Sequence, residues 1–123
     1  MTNDLGRWGE ERALQFLQQK GYRILARNYR VWEGEIDIVA ESDGEIIFVE
    51  VKTRTSRRFG YPEDGLIGKK QERLLKAGYR FLEENEMLDV IYQFDLIAIE
   101  CSNDRKIQRL SHYEDIIGRD MLT

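Results

Sequence analysis

Carboxylates alternate with apolar residues on two neighbouring segments of the chain, and a lysine follows the last carboxylate. The four residues are Glu35, Asp37, Glu50 and Lys52. Two close carboxylates beside a lysine can hold a hard divalent cation such as Mg²⁺, which prefers oxygen ligands. The pattern therefore predicts a functional cluster, provided that the fold brings the four side chains together.

A β-hairpin would bring these side chains together. Residues 35–41 and 45–52 are rich in β-branched residues and flank the Asp-Gly pair at residues 43–44. An Asp-Gly pair in this position is a strong hairpin signal. In the resulting register Asp37 opposes Glu50, and Glu35 opposes Lys52. Opposed residues have Cβ atoms roughly 4.5–5.5 Å apart and share one face of the sheet.

The alternative is a solvated sheet face that carries cross-strand ion pairs. Two features argue against this alternative. Residues 46–51 are nearly continuously apolar, which predicts a central strand covered on both faces. Asp37 opposite Glu50 also puts like charges together, which destabilises a sheet unless a cation or a shared proton intervenes.

Glu10 is a further candidate because of its place on the first predicted helix. Ala13, Leu14 and Leu17 follow it at helical spacing and form the apolar stripe, whereas Glu11 leads to the polar side. A carboxylate on the core-facing stripe needs a partner or a metal. The alternative is a glutamate at the edge of the stripe that pairs with an arginine.

The elements that must position these residues follow from periodicity and turn signals. The predicted elements are a helix over 5–20, a strand over 22–27, the two hairpin strands, a helix over 67–84, a strand over 91–100 and a short strand over 106–110. Asn3 or Asp4 can cap the first helix, and Gly21 can end it. Residues 115–117 are either a last helical turn or a tail. The order α-β-β-β-α-β-β indicates one mixed α/β domain with a central sheet flanked by helices.

Charge is distributed unevenly along the chain. The 19 basic and 23 acidic residues give a net charge of −4, which by itself argues against binding to nucleic acid. Residues 52–80, however, hold nine basic and only three acidic residues. The candidates for contacts with backbone phosphates are Arg54, Arg57, Arg58, Lys69, Lys70, Arg73 and Lys76. The alternative is an ordinary solvated helix face on which Glu72 pairs with Lys76.

Other features exclude several classes of protein and site. No apolar run approaches the ~18 residues that a membrane span needs, and the first residues lack the apolar core of a signal peptide. A single cysteine, Cys101, fits a reducing cytoplasm and a packing role. With His112 as the only histidine, a zinc site built from cysteine and histidine alone is excluded. We expect Trp8 and Trp32 to anchor the core or a loop rather than stack on bases.

Motifs at these positions resemble a known family. The sequence has Gly9-Glu10, then Gly34-Glu35-Ile36-Asp37, then Phe48-Val49-Glu50-Val51-Lys52-Thr53-Arg54. In this order they resemble the YraN-like family of bacterial proteins, over nearly the whole chain. That family is placed in the PD-(D/E)xK, restriction-endonuclease-like superfamily and is similar to archaeal Holliday-junction resolvases. The proline that precedes the aspartate in the superfamily motif is Ile36 here.

The resemblance implies roles for the candidate residues. Asp37 and Glu50 would be ligands of Mg²⁺ or Mn²⁺, with the Val51 carbonyl as a further ligand, and Glu10 would contact the metal or its water. Lys52 would orient the attacking water and stabilise developing charge. Glu35 matches the family motif as an accessory candidate, to which neither the register nor the resemblance assigns a role.

Two functions follow from the sequence. The first is a divalent-metal-dependent DNA endonuclease that acts on branched or unusual DNA structures; by analogy with resolvases it would work as a homodimer. The second is a non-catalytic nucleic-acid-binding module that keeps the nuclease fold. A purely structural role is a third hypothesis, and a hydrolase built on Ser111 and His112 has no supporting motif.

Overall fold

The fold follows the predicted order of helices and strands. The computed structural model describes residues 4–56, 58, 60–62 and 69–117. Its elements are α1 (Asp4–Gln19), β1 (Arg23–Val31), β2 (Gly34–Ser42), β3 (Glu45–Arg54), α2 (Lys69–Glu84), β4 (Tyr92–Cys101) and β5 (Ile107–Tyr113). The predicted α/β class and the order α-β-β-β-α-β-β are confirmed.

Most predicted boundaries lie within a few residues of the observed ones. Strand β1 is the exception, because it continues four residues beyond the predicted end at Arg27. Gly21 has a φ of +92°, the left-handed conformation expected of a glycine that ends a helix. Residues 114–117 form no helical turn. The predicted cap at Asn3 and the predicted helix start at Ile67 lie outside the described residues.

The hairpin between β2 and β3 has the predicted turn and register. Asp43 and Gly44 have φ values of 51° and 80°, as a two-residue turn with two left-handed residues requires. The ladder runs from Ser42 opposite Glu45 to Ile38 opposite Val49. A one-residue slip would have turned every side chain of one strand to the other face.

Strand β3 is the central strand of one five-stranded sheet in the order β1-β2-β3-β4-β5. It pairs with β4 in parallel through the crossover helix α2, and the other neighbouring strands are antiparallel. Residues 46–49 are all buried, because α1 covers one face of the sheet and α2 covers the other. The prediction of a central strand covered on both faces is thus confirmed.

Each helix contributes its apolar stripe to a separate core layer. Ala13, Leu14 and Leu17 of α1 pack against a layer that includes Ile47 and Val49. On the opposite face, four buried residues of α2 pack against three buried residues of the strands. The helix residues are Leu74, Ala77, Phe81 and Leu82, and the strand residues are Ile36, Phe48 and Phe94. None of the helices in the described part of the chain is long and apolar enough to cross a membrane.

Two expectations about single residues are confirmed and one is wrong. Cys101 is buried, and Trp8 is partly buried against the core layer beneath α1. Trp32, expected to anchor the core or a loop, is 97% exposed. Its position in the two-residue turn between β1 and β2 leaves it no neighbouring layer to pack against.

Candidate active site

The candidate site lies where strands β2 and β3 stop pairing regularly. Their ladder ends at Ile38 opposite Val49, so the predicted pairs of Asp37 with Glu50 and Glu35 with Lys52 lie beyond it. Ile36 packs on the α2 side of the sheet, whereas Ile38 packs on the α1 side. Side chains two positions apart on a strand normally share a face, so the alternation of side-chain directions along β2 is broken at Asp37. The Asp37 carboxylate lies in the candidate site.

Six predicted site residues line one cavity of about 430 Å³, which we call the carboxylate cleft. They are Glu10, Glu35, Asp37, Glu50, Lys52 and Arg54. A second cavity of about 450 Å³, which we call the basic pocket, shares three of these residues. It adds the cationic side chains of Arg30, Lys70 and Arg73. The fold thus brings together the carboxylates and part of the basic block.

Asp37 is the most buried carboxylate of the cleft, with 9% of its surface exposed. Its Oδ2 accepts a hydrogen bond of 2.8 Å from the backbone N–H of Val51, which favours the charged form. Burial and the nearby carboxylates, chiefly Glu50, outweigh that bond and raise the pKa of Asp37 to about 8. The cleft therefore has an excess of negative charge that a cation would relieve.

Glu10 reaches the cleft because α1 lies close to the end of β3. A Cβ atom built on Gly9 would lie 1.9 Å from Oγ1 of Thr53, so only glycine allows this approach. Glu10 is half-buried, and its pKa is raised by burial and by the neighbouring carboxylates Glu35 and Glu50. The arginine pairing considered for Glu10 occurs instead at Glu11, whose carboxylate lies 2.8 Å from Arg27.

Lys52 and Arg54 are the basic residues that line the cleft, and Lys52 pairs with one of its carboxylates. Its Nζ lies 3.2 Å from Oε1 of Glu50, and both side chains are only 16% exposed. Burial opposes the charge on Lys52, but the Lys70 amine and the Glu50 carboxylate raise its pKa overall. The pKa of Lys70 is lowered by its hydrogen bond to Lys52 and by repulsion from that lysine. Of the two lysines, Lys52 therefore has the higher pKa.

The chemistry of the donors suits a hard divalent cation. Asp37, Glu50 and Glu10 offer only carboxylate oxygens, and the charge around Asp37 is not balanced by Lys52 alone. In the structure Glu50 Oε1 pairs with Lys52 and Asp37 Oδ2 accepts the Val51 N–H, and the ligand oxygens of the three carboxylates do not all lie within 4.8 Å of one another. These three residues are the ones that could hold such an ion.

A second group of donors lies at the other end of α1 and was not predicted. Among the described residues, Asp95, His112 and Glu114 are the set of three whose ligand atoms all lie within 4.8 Å of one another. His112 Nε2 lies 2.8 Å from Asp95 Oδ2, and Lys20 Nζ lies 2.9 Å from His112 Nδ1. With both ring nitrogens engaged and an ammonium beside them, this group is a polar network joining α1, β4 and β5.

The signal for this network was a charged residue inside an apolar strand. Asp95 is fully buried in β4, and its Oδ1 accepts hydrogen bonds of 2.9 Å from Gln93 Nε2 and from the N–H of Asp115. A buried carboxylate needs such partners. Ser111 and His112 are successive residues of β5 and point to opposite faces, which argues against the hydrolase alternative.

The predicted phosphate-contacting residues fall into different settings. Lys70 and Arg73 line the basic pocket, whereas Lys76 forms an ion pair with Glu72 at 3.0 Å. Arg80, four residues after Lys76 on α2, pairs with Glu33 and Glu84, each at 3.1 Å. The second half of α2 is therefore better described as a solvated helix face with ion pairs than as a phosphate-binding surface.

The remaining basic candidates lie at the end of β3, after it, and at the start of α2. Arg54, the last residue of β3, is half-buried and lines the carboxylate cleft, and Arg58 is exposed. Arg57 and the side chain of Lys69 lie outside the described residues. Sequence reasoning missed Arg30, which lines the basic pocket and pairs with the exposed Glu35 at 3.0 Å.

Comparisons with known proteins assign the family. The profile of the uncharacterised protein family UPF0102 matches residues 9–99. A UPF0102 protein of Syntrophomonas wolfei is 46% identical over 80% of this chain and 86% of its own length. UPF0102 proteins of Flavobacterium psychrophilum and Christiangramia forsetii are 42% and 41% identical, each over 92% of both chains. The YraN-like family that the motifs resemble is thereby confirmed.

Proposed function

The chain belongs to the uncharacterised protein family UPF0102, and we propose that it is a divalent-metal-dependent DNA endonuclease of the restriction-endonuclease-like superfamily. One observation carries the proposal. The buried Asp37 shares a cavity with Glu10, Glu50 and Lys52 at the point where the central strand separates from its neighbour. This is the set of residues that the PD-(D/E)xK resemblance implies.

The carboxylates would hold the cation, and Lys52 would act on the substrate. When bound, Mg²⁺ or Mn²⁺ would stabilise charge on the phosphoryl oxygens and lower the pKa of a water molecule. Glu50 fixes the ammonium of Lys52 at 3.2 Å, so its charge is in place before the substrate arrives. A preorganised charge of this kind stabilises a developing negative charge more than a mobile one does.

The basic pocket would hold the DNA backbone next to the cleft. Lys70 and Arg73 line it together with Glu50 and Lys52, so a phosphate bound there lies beside the candidate catalytic groups. Such contacts position a duplex without reading its sequence. This agrees with a substrate defined by structure, such as branched DNA. We further propose that the protein acts in the cytoplasm and, by analogy with enzymes that cut two strands, as a homodimer.

A cleavage assay tests the proposal. Wild-type protein, Glu50→Ala, Lys52→Ala and the control Glu11→Ala are incubated with junction, flap and duplex DNA, with Mg²⁺, Mn²⁺ or chelator. Cleavage by the wild type should require metal and fall by about 100-fold or more in the two cleft variants. Glu11 pairs with Arg27 and does not line the cleft, so its variant should cleave normally. Cleavage in chelator, or cleavage that both cleft variants retain, would contradict the proposal.

A non-catalytic DNA-binding module is the second candidate, and one observation favours it. The ligand oxygens of Glu10, Asp37 and Glu50 do not all lie within 4.8 Å of one another, and one oxygen each of Asp37 and Glu50 is engaged by Val51 and Lys52. This candidate predicts salt-sensitive DNA binding that weakens when Lys70 and Arg73 are changed to alanine, with no cleavage of any substrate. A metal titration that detects no Mg²⁺ or Mn²⁺ binding would favour it over the endonuclease.

A further inference from the structure

Trp32 is the most exposed large hydrophobic side chain that the structure describes. It is 97% exposed, and the next, Ile91, is 64% exposed. Burial of an aromatic side chain contributes strongly to stability, and Trp32 contributes none of this to the fold. An aromatic ring held in water therefore points to a contact outside the chain.

The turn that carries Trp32 is fixed to helix α2. Glu33 Oε2 lies 3.1 Å from Arg80 Nη1, and Arg73 Nε donates a 3.4 Å hydrogen bond to the Glu33 carbonyl. A Cβ atom on Gly34 would lie 2.5 Å from the carbonyl oxygen of Arg73, so the backbones touch directly. The indole is thus presented by an anchored hairpin end, which reduces the entropy lost when a ligand binds it.

The position of the turn relates the indole to the basic pocket. Val31 and Gly34, the residues on either side of the turn, both line that pocket. The same pocket contains Lys70 and Arg73 and opens onto Glu50 and Lys52 through shared lining residues. A cationic groove beside an aromatic ring is the combination with which proteins bind single-stranded nucleic acid, because every base has a face that can stack.

We propose that Trp32 stacks on an unpaired base of the DNA next to the phosphate held in the basic pocket. The inference rests on the proposed function and specifies its substrate: DNA with unpaired bases, such as a flap or a single-stranded overhang. A blunt duplex keeps its interior bases paired and stacked, so it offers Trp32 no unpaired base and only the outer faces of its two terminal pairs. Trp32 is therefore a specificity-determining residue.

Binding without catalysis tests this assignment. The affinities of wild type, Trp32→Ala and Trp32→Phe for a fluorescent duplex with a single-stranded overhang, and for the blunt duplex, are measured by anisotropy in chelator. Trp32→Ala should weaken overhang binding by about 5- to 150-fold and leave blunt-duplex binding within about twofold. Trp32→Phe should retain most of the affinity. Because Trp32 packs against nothing, its variants should keep the wild-type melting temperature.

Tryptophan fluorescence supplies a second measurement. In a Trp8→Phe background Trp32 is the sole tryptophan, and stacking should quench its emission with the overhang DNA and not with the blunt duplex. Equal overhang affinity of wild type and Trp32→Ala, or equal loss on both DNAs, would overturn the assignment. Metal-dependent cleavage that persists alongside that result would leave the proposed function standing. A wild-type protein that binds neither DNA would overturn the assignment, and one that also neither binds nor cleaves junction DNA would overturn the proposed function.

Discussion

At the scale of single residues, Asp37 links the fold to the proposed chemistry. Its carboxylate is buried among Glu10, Glu35 and Glu50, and its one described hydrogen bond comes from the Val51 backbone. Burial and, after it, these neighbours raise its pKa to about 8, so in the absence of a cation the folded chain favours the protonated acid near neutral pH. The same environment favours a cation when the carboxylate is charged.

Asp37→Asn should alter how stability depends on pH. In the unfolded chain Asp37 ionises near its ordinary pKa of 3.8, whereas in the folded chain it keeps its proton up to about pH 8. Unfolding between these values releases a proton, so rising pH destabilises the wild type by up to about 1.4 kcal/mol per pH unit. The asparagine variant loses this contribution and can still accept the Val51 hydrogen bond.

Chemical denaturation in chelator from pH 5 to 8 measures the effect. The free energy of unfolding of Asp37→Asn minus that of wild type should grow as pH rises. The subtraction cancels titrating groups that do not interact with Asp37. A difference that stays constant, or shrinks with rising pH, would contradict the raised pKa.

At the scale of elements, the approach of α1 to β3 places Glu10 at the cleft. Gly9 makes that approach possible because a Cβ atom there would overlap Thr53. The Oγ1 of Thr53 is buried and has no hydrogen-bond partner among the described residues. At this contact the close approach of α1 to β3 is kept although it leaves the Thr53 hydroxyl without a hydrogen bond. This is expected if the short distance between α1 and β3 is needed to place Glu10 at the cleft.

Gly9→Ala should destabilise the protein by about 1–3 kcal/mol, because the new methyl group is forced against Thr53. Thr53→Ala removes Oγ1 and should cost less. In the double variant the two effects should be less than additive, since the alanine at position 53 removes the closest overlap, at Oγ1, and leaves its own Cβ 2.9 Å from the methyl group. Urea unfolding of the four proteins measures the coupling, and strictly additive effects would contradict direct contact between the two residues.

Sequence periodicity predicted most elements, and the point at which it failed lies in the candidate site. The Asp43-Gly44 turn fixed the register up to Ile38 opposite Val49, because a slip would expose the core face. Beyond that pair the alternation of side-chain directions breaks at Asp37. This break depends on how Ile36 and Ile38 pack against the two helices, and the local sequence pattern does not indicate it. Likewise, the chemical type of Trp32 suggested burial, whereas only the turn geometry revealed its exposure.

At the scale of the whole molecule, the basic block between residues 52 and 80 is divided by ion pairing. Lys70 lines the basic pocket, whereas Lys76 on the same helix is paired with Glu72. Total charge and its position along the sequence could not distinguish these two lysines, because pairing depends on the neighbours that the fold provides.

The salt dependence of DNA binding distinguishes Lys70 from Lys76. Lys70→Ala should reduce the slope of log affinity against log salt by about 0.9, the value for one lost phosphate contact on duplex DNA. Lys76→Ala is the matched control and should leave the slope unchanged. Equal reductions in the two variants would show that the helix face, rather than the pocket, contacts the backbone.

Mn²⁺ binding tests most directly the central claim that the carboxylate cleft, and not the histidine network, is the divalent-metal site. Electron paramagnetic resonance titration at pH 8 can compare wild type with Glu50→Gln and with His112→Gln. Wild type and His112→Gln should bind one Mn²⁺ with similar affinity, and Glu50→Gln should bind it at least about 10-fold more weakly. Binding that Glu50→Gln retains and His112→Gln loses, or no binding by the wild type, would contradict the claim.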